Sequence, residues 1–477
     1  MMGGTGAALL AAACGGNSNS KPSGAATTAA TRAATATSLS TTAAATAASS
    51  PAAVRTTPTA PVRVTTVSYI DSNNADAEIA WDAKFEADFA AAFPQYHVAG
   101  QHFSSTDFFV KMQTALATNS PPDMIFRDGN GLEVFDLWNN GLLAPVNDVM
   151  EDIFKMIGGK DKFDAAALDR YTAPTGEVIG VPVMGSPSVW WYRTDLLQEA
   201  GLTPPAGHWD WTFLLKAVKA MHKPPKVYGL ATPLGRNIAS QYLVAAFILG
   251  NGGHFVSQDL KDVVFDSPEV RDAVDVVKEL AQYAPPGATS WGRPDQVDAI
   301  ARGGVAMGEY AGRVMGDIIT KNPTMMKNYA NALMPYQKDP RTYGVSGPHA
   351  LFKGKNLAGA KELAKFSMRK DNFITLMRTS PGQYAPAIPS YGADPSYTED
   401  PVLKAYDPKI LATIVEMGKY PYDPLKEAPG WKVNPKGGAL LNSLIIADVV
   451  QKVALGKEST QSAVSAGAAQ IRELMKG

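Results

Sequence analysis

Side chains able to catalyse or to coordinate metal are thinly spread along this 477-residue chain. The six histidines are His97, His102, His208, His222, His254 and His349. They form no HExxH pair, and the single cysteine, Cys14, excludes a thiolate zinc site. There is no G-x-S-x-G elbow and no Walker A loop, so a serine hydrolase of that type has no support and any ATPase must be a separate subunit. No metal and no cofactor is expected. Glycoside hydrolysis needs two facing carboxylates, but among 45 acidic residues some pair always looks suitable, so sequence spacing alone decides nothing. Binding chemistry remains. Asp71 and Asn74 close the run Asp71-Ser72-Asn73-Asn74, and Asp128 and Asn130 share Asp128-Gly129-Asn130-Gly131. Ionised carboxylates make the stronger, charge-assisted hydrogen bonds. Asp71 and Asn74 equally suit an ordinary turn, and Asp128 or Asn130 a helix cap. Trp291 stands in the polar loop Thr289-Ser290-Trp291-Gly292-Arg293, where a large ring is hard to explain as core.

These groups fall where regular elements must end. Residues 62–70 are β-rich with alternating apolar positions. Residues 75–93 repeat as a helix with Ile79, Phe85, Phe89 and Phe93 able to share a face, and Pro94 stops it. A second strand over 96–103, a second helix over 107–118 with Phe108, Met112 and Leu116, a short buried strand over 122–126 and a third helix over 131–139 follow. Strands alternating with helices predict an α/β fold with a mainly parallel sheet. Ligands of such sheets sit beyond the carboxyl ends of the strands, here the loops 71–74, 104–106 and 128–130.

The chain is long enough for two or three domain-sized units. Its 45% hydrophobic content and its 8 Trp, 17 Tyr and 17 Phe suffice for a real core. The net charge is −1 with Lys and Arg dispersed, which leaves no basic stripe for nucleic acid. No apolar run approaches the roughly 20 residues of a membrane span. Residues 15–61 are Ala/Thr/Ser-rich with four prolines, and no apolar face exists to bury, which predicts a disordered linker about 35–40 Å end to end. Ahead of it, Ala7-Ala8-Leu9-Leu10-Ala11-Ala12-Ala13 leads into Cys14-Gly15-Gly16. This resembles a bacterial lipoprotein signal, although Leu10 stands four residues before Cys14 where three is usual, and no Lys or Arg precedes the apolar run. The resemblance implies a signal peptide over 1–14, a lipid on Cys14, and membrane contact through that lipid only, at the cell surface or in the periplasm.

From residue 62 onward a series of short motifs occurs in order: NSPPDMI at 119–125, NGLLAPVND at 140–148, GVPV at 180–183, WYRTDLL at 191–197, AGL at 200–202, WDW at 209–211, GNGG at 250–253, FDSPE at 265–269, GGVAM at 303–307, and FKGKN with KELAKF at 352–366. Together they resemble the sugar-binding branch of the extracellular solute-binding proteins of ABC importers. The resemblance implies a two-lobed periplasmic-binding-protein-like α/β fold with a hinge and an inter-lobe cleft. Residues 62–178 and 343–379 would form one lobe, 179–342 and 380–477 the other. It implies a carbohydrate ligand, ABC permease subunits as partners, and a monomer without enzymatic activity. Polyhydroxylated guests want acceptors and donors for their hydroxyls and flat rings for their C–H faces. Ser186 follows the crossover at a family ligand position. Trp190 and Trp191 share a strand and must face opposite ways, so one of them is core. Gln241 opens a helix, where a surface role competes. Tyr310 replaces a stacking Trp of the family, and Arg313 follows it. Tyr384 lies in a loop similar to one near the family's cleft, and Trp431 precedes the last long helices. The alternatives are a polyamine, peptide or glycerol phosphate in the same fold, or a surface glycosidase or sensor.

Overall fold

In the computed structural model the described residues are 64–72, 75–103, 105–127, 133–422, 426–428 and 430–476. Cys14, the 15–61 tract, Asn74, Asp128 and Asn130 lie outside them. By contact the chain divides into residues 1–60 and 61–477, and every described residue belongs to the second unit.

Strand β1 (Thr65–Asp71) buries Val67, Tyr69 and Ile70 and pairs in parallel with β2 (Tyr96–His102) and β3 (Met124–Ile125). The helix Asp76–Ala92 links β1 to β2. Its buried face is Glu78, Trp81, Asp82, Phe85 and Phe89, which share one side of the helix, whereas Ile79 is exposed and Phe93 lies past the helix end. The expected face is therefore rotated, and it carries two acids inward. Phe85 and Phe89 pack at 5.5 Å on Phe366, from the much later helix Leu357–Ser367.

The remaining strands are β4 (Val181–Arg193), β5 (Tyr228–Ala231), β6 (Val305–Ala311), β7 (Tyr329–Ala332), β8 (Thr342–Leu351), β9 (Ala385–Pro386) and β10 (Pro421–Tyr422). The sheet order is β2-β1-β3-β8-β4-β6-β5, with β7 and β9 on β4 and β10 on β8. It is mixed rather than mainly parallel. Parallel pairing holds in β2-β1-β3 and β5-β6, but β8 and β4 run antiparallel between them. Both strands change partner along their length. β8 meets β3 at Ala350 and Leu351 and β4 over 344–349, while β4 turns from β8 to β6 at Ser188. Alternation of strand and helix over 62–139 predicts the parallel part only; two long strands that cross between the parallel regions leave no such signature.

Beyond that crossing, Trp190 packs edge-on to Phe247 in the helix Ile238–Gly250, which is apolar all round and buried from Ala239 to Gly250. The stretch Gly437–Ala454 is apolar enough to span a membrane by length and composition, but it is two helices with Leu444 at φ 56° between them, and more than half of it is buried in the fold.

Candidate functional site

Three parallel strands deliver Asp71 (end of β1), His102 (end of β2) and Arg127 (two residues past β3) to one edge. Asp82 joins them from the helix Asp76–Ala92. The Arg127 guanidinium is buried. Nε donates to Asp71 Oδ2 at 2.8 Å, and Nη2 donates to Asp82 Oδ2. Its flat face lies 4.9 Å from the Trp81 ring and 5.2 Å from Phe126. Burial works against its charge, but Asp71 and Asp82 together hold it well above the usual arginine range. Burial also pushes the Asp82 carboxyl up against the opposing pull of Arg127, and Asp71, Glu86 and Glu78 push it the same way. Oxygen and nitrogen atoms of Asp71, Asp82 and His102 come within 4.8 Å of one another, the spacing of a metal site. The guanidinium already bonded to both carboxylates takes up their charge, so this cluster needs no ion.

His349 supports Arg127 from behind. Burial, helped by the Arg127 charge, lowers its pKa to about 3, so the ring is neutral. Nδ1 accepts the Arg127 backbone N–H at 3.1 Å, which leaves the proton on Nε2, 2.7 Å from Ser367 Oγ. Arg127 itself takes φ 44°, in the left-handed region.

A second wall faces this edge. The Tyr384 hydroxyl donates to Glu78 Oε1 at 2.9 Å, and both side chains are buried. Burial first, then the Glu78 charge, raises the Tyr384 pKa, so the phenol stays protonated. Arg313 begins the helix Val314–Lys321. Among the described residues it is bonded to no carboxylate. Desolvation opposes its charge, while Glu78, Tyr310, Tyr384 and Asp317 hold it protonated. Tyr310, on β6, lies 5.2 Å under the Arg293 guanidinium, and Arg293 Nη1 donates to Glu309 Oε2 at 2.6 Å and to Gln296 Oε1 at 2.9 Å. Gly312 makes this wall possible: a methyl there would overlap the Gly382 carbonyl oxygen, so only glycine lets the loop carrying Tyr384 lie against the end of β6.

The structure thus brings Asp71, Tyr310, Arg313 and Tyr384 into one region, with Asp71 bonded to Arg127. Ser186 is half-buried on β4, opposite Val345. Trp291 is half-buried, with its carbonyl accepting from Asn237 Nδ2 at 2.8 Å. Trp431 stacks on His254 at 4.2 Å, and Glu427 fixes that loop by accepting the backbone N–H groups of Phe255 and Val256. Two expectations are corrected. Trp190 is core, its Nε1–H aimed at Met307 Sδ, and Trp191 is buried too, donating to the Tyr310 carbonyl, because β4 is covered on both faces. Gln241 is also buried. Its amide bonds the carbonyls of Leu440 and Leu441 and the N–H of Ala447, tying two helices together. Sequence reasoning missed Glu78, Asp82, His102, Arg127 and Arg293. The available signal was the i, i+4 pair Glu78 and Asp82 among Trp81 and Phe85, because two acids on a buried face demand a cation.

Comparison with known proteins agrees with this architecture. The profile of the family described as bacterial extracellular solute-binding protein matches residues 74–372. YcjN of Escherichia coli (strain K12), named as an ABC transporter periplasmic-binding protein, is 22% identical over 373 residues, 73% of this chain and 84% of YcjN. A sugar transporter from Arthrobacter chlorophenolicus A6, solved with bound laminaribiose, superposes with a TM-score of 0.71 at 20% identity over 86% of this chain and 99% of the other. An ABC transporter solute-binding protein from Agrobacterium radiobacter K84, in complex with ribitol, gives 0.70 at 18% identity over 87% and 100%. At these identities the likeness establishes the fold: the two-lobed, hinged arrangement of periplasmic binding proteins, with a cleft between the lobes.

Proposed function

The chain belongs to the bacterial extracellular solute-binding proteins, and from that membership we propose that this ABC-importer component captures a carbohydrate between its lobes and delivers it to the permease subunits. One lobe is residues 62–178 with 343–379, the other 179–342 with 380–477. The pairing of β8 with β3 and the packing of Phe366 on Phe85 support that division.

One observation carries the ligand assignment. Glu78 on one wall accepts from the Tyr384 phenol on the other, where the Arg313 charge feels both Glu78 and the Tyr310 phenol, so the cleft offers acceptors, donors and ring surface in near balance. A neutral polyol uses all three. A polyamine would meet Arg313, and a glycerol phosphate would meet Glu78. Asp71, Asn74, Asp128 and Asn130 are the contacts proposed from the loops after β1 and β3; Ser186, Trp291, Tyr310, Arg313, Tyr384 and Trp431 are those proposed from the other lobe. Binding without catalysis fits the paired carboxylates Asp71 and Asp82, which are buried and bonded to Arg127 rather than facing each other across an open cleft. The sequence around Cys14 supports a lipid tether, and labelling of expressed protein with radioactive palmitate checks it.

The deciding experiment is a thermal-shift screen with laminaribiose, ribitol, spermidine and glycerol 3-phosphate, since a ligand of the folded state raises the melting temperature. A rise with laminaribiose or ribitol is expected. A rise confined to spermidine or glycerol 3-phosphate overturns the carbohydrate assignment.

A further inference from the structure

Arg127 engages Nε and Nη2 with Asp71 and Asp82, but Nη1 has no partner among the described residues, although the side chain is only 1% exposed. A buried, charged N–H without an acceptor is costly, and folded chains leave one only where something else supplies the oxygen. Two further atoms of the same cluster are equally unmatched: Asp82 Oδ1, an acceptor, and His102 Nδ1. Both belong to groups near Arg127, with His102 Nδ1 3.6 Å from Asp82 Oδ2. A donor, an acceptor and an imidazole nitrogen left open together are the complement of hydroxyl groups, which accept and donate at once. A cation does not fit, because the guanidinium charge already occupies the space between the carboxylates. The cluster lies at the carboxyl ends of β1, β2 and β3, where α/β sheets meet their ligands, and the Arg127 charge is felt by Tyr384 of the facing wall.

We propose that Arg127, Asp82 and His102 form a buried polar subsite that receives hydroxyl oxygen from the guest, with Arg127 Nη1 as the donor. This rests on the carbohydrate assignment above. It makes Arg127 a specificity determinant as well as the pin that fixes Asp71 and the ends of β1 and β3. A guest lacking the matched hydroxyl leaves a buried donor open and is rejected strongly, a discrimination that a hydroxyl-free apolar pocket does not achieve.

The test titrates laminaribiose, ribitol and their monodeoxy analogues calorimetrically into the full chain and into Arg127→Lys and Asp82→Asn. Lysine keeps a cation for the carboxylates but removes Nη1; asparagine keeps the shape of Asp82 while changing its acceptor. A tenfold or greater loss of affinity in Arg127→Lys is expected, with a smaller loss in Asp82→Asn. For one monodeoxy analogue the wild type and Arg127→Lys should bind alike, a coupling that a general loss of structure does not produce. Should Arg127→Lys fail to fold, the same coupling is read from Asp82→Asn. Equal affinities for wild type and folded variants, or a variant penalty that persists for every deoxy analogue, overturn the subsite while leaving carbohydrate capture intact. Failure of the wild type to bind any of these guests overturns both.

Discussion

Tyr384→Phe removes one oxygen atom and with it the bond that joins Glu78 to the opposite wall. A hydrogen bond to a charged group contributes about 1.5–3 kcal/mol, so carbohydrate affinity measured by calorimetry should fall by about tenfold or more. A change of less than twofold would place Tyr384 outside the working cleft. His349 offers a second test. Its folded pKa, about 3, lies below the ordinary 6.5. Between those values the unfolded chain binds a proton that the folded chain does not, so stability is full above pH 6.5 and declines as pH falls toward 3. Urea midpoints measured from pH 7 to 4 should drop, and His349→Gln should flatten the drop by about one proton's worth. At this scale the sequence was legible only in part. Tyr310, Arg313 and Tyr384 lie close in sequence to features that mark the site: the end of β6 and the loop before β9. Trp190 and Gln241 looked like cleft groups because ring and amide chemistry suits a ligand, yet the same chemistry fills a two-sided strand and ties helices together. Arg127 was hidden because its partners, Asp71 and Asp82, are 56 and 45 residues away in the chain.

The elements that hold these residues follow local rules, and the motifs quoted from the sequence turn out to be largely punctuation. In FDSPE, Ser267 caps the helix Pro268–Ala281 by accepting the Val270 N–H, and Pro268 occupies its first turn. In GGVAM, Gly303 takes φ 76° to end one helix before β6 begins. Ser267→Ala should lower unfolding stability by about 1 kcal/mol in chemical denaturation and leave ligand affinity unchanged. Gly312→Ala should act the other way. It pushes the Gly382 loop off the end of β6, displaces Tyr384, and should weaken carbohydrate binding at least tenfold by calorimetry; an unchanged affinity would sever the link between that loop and the cleft. Caps and breakers are read from neighbouring residues, so they were visible in sequence. The rotation of the helix Asp76–Ala92 was not, because apolar spacing alone selected Ile79 over Glu78, and only the bond from Tyr384, with the Arg313 charge nearby, makes an acid the inward residue.

Taken whole, the molecule is two α/β bodies spliced through β4 and β8. The alternating elements and ordered motifs were enough to indicate that architecture, because they reflect connection order. The antiparallel crossing was not, since strand direction leaves no mark on side-chain alternation. If the lobes swing about this splice, small-angle scattering should show the radius of gyration shrinking when laminaribiose or ribitol saturates the protein; no change on saturation would mean that the lobes are fixed. For such a swing Glu78 would set the direction. Shut, the jaws strip the carboxylate of water and leave it little but one phenol and a distant guanidinium; parted, they give its hydration back. On that footing an unloaded clamp is expected to rest ajar and cargo to hold it clenched, which the same scattering experiment reads as a larger radius without guest than with it.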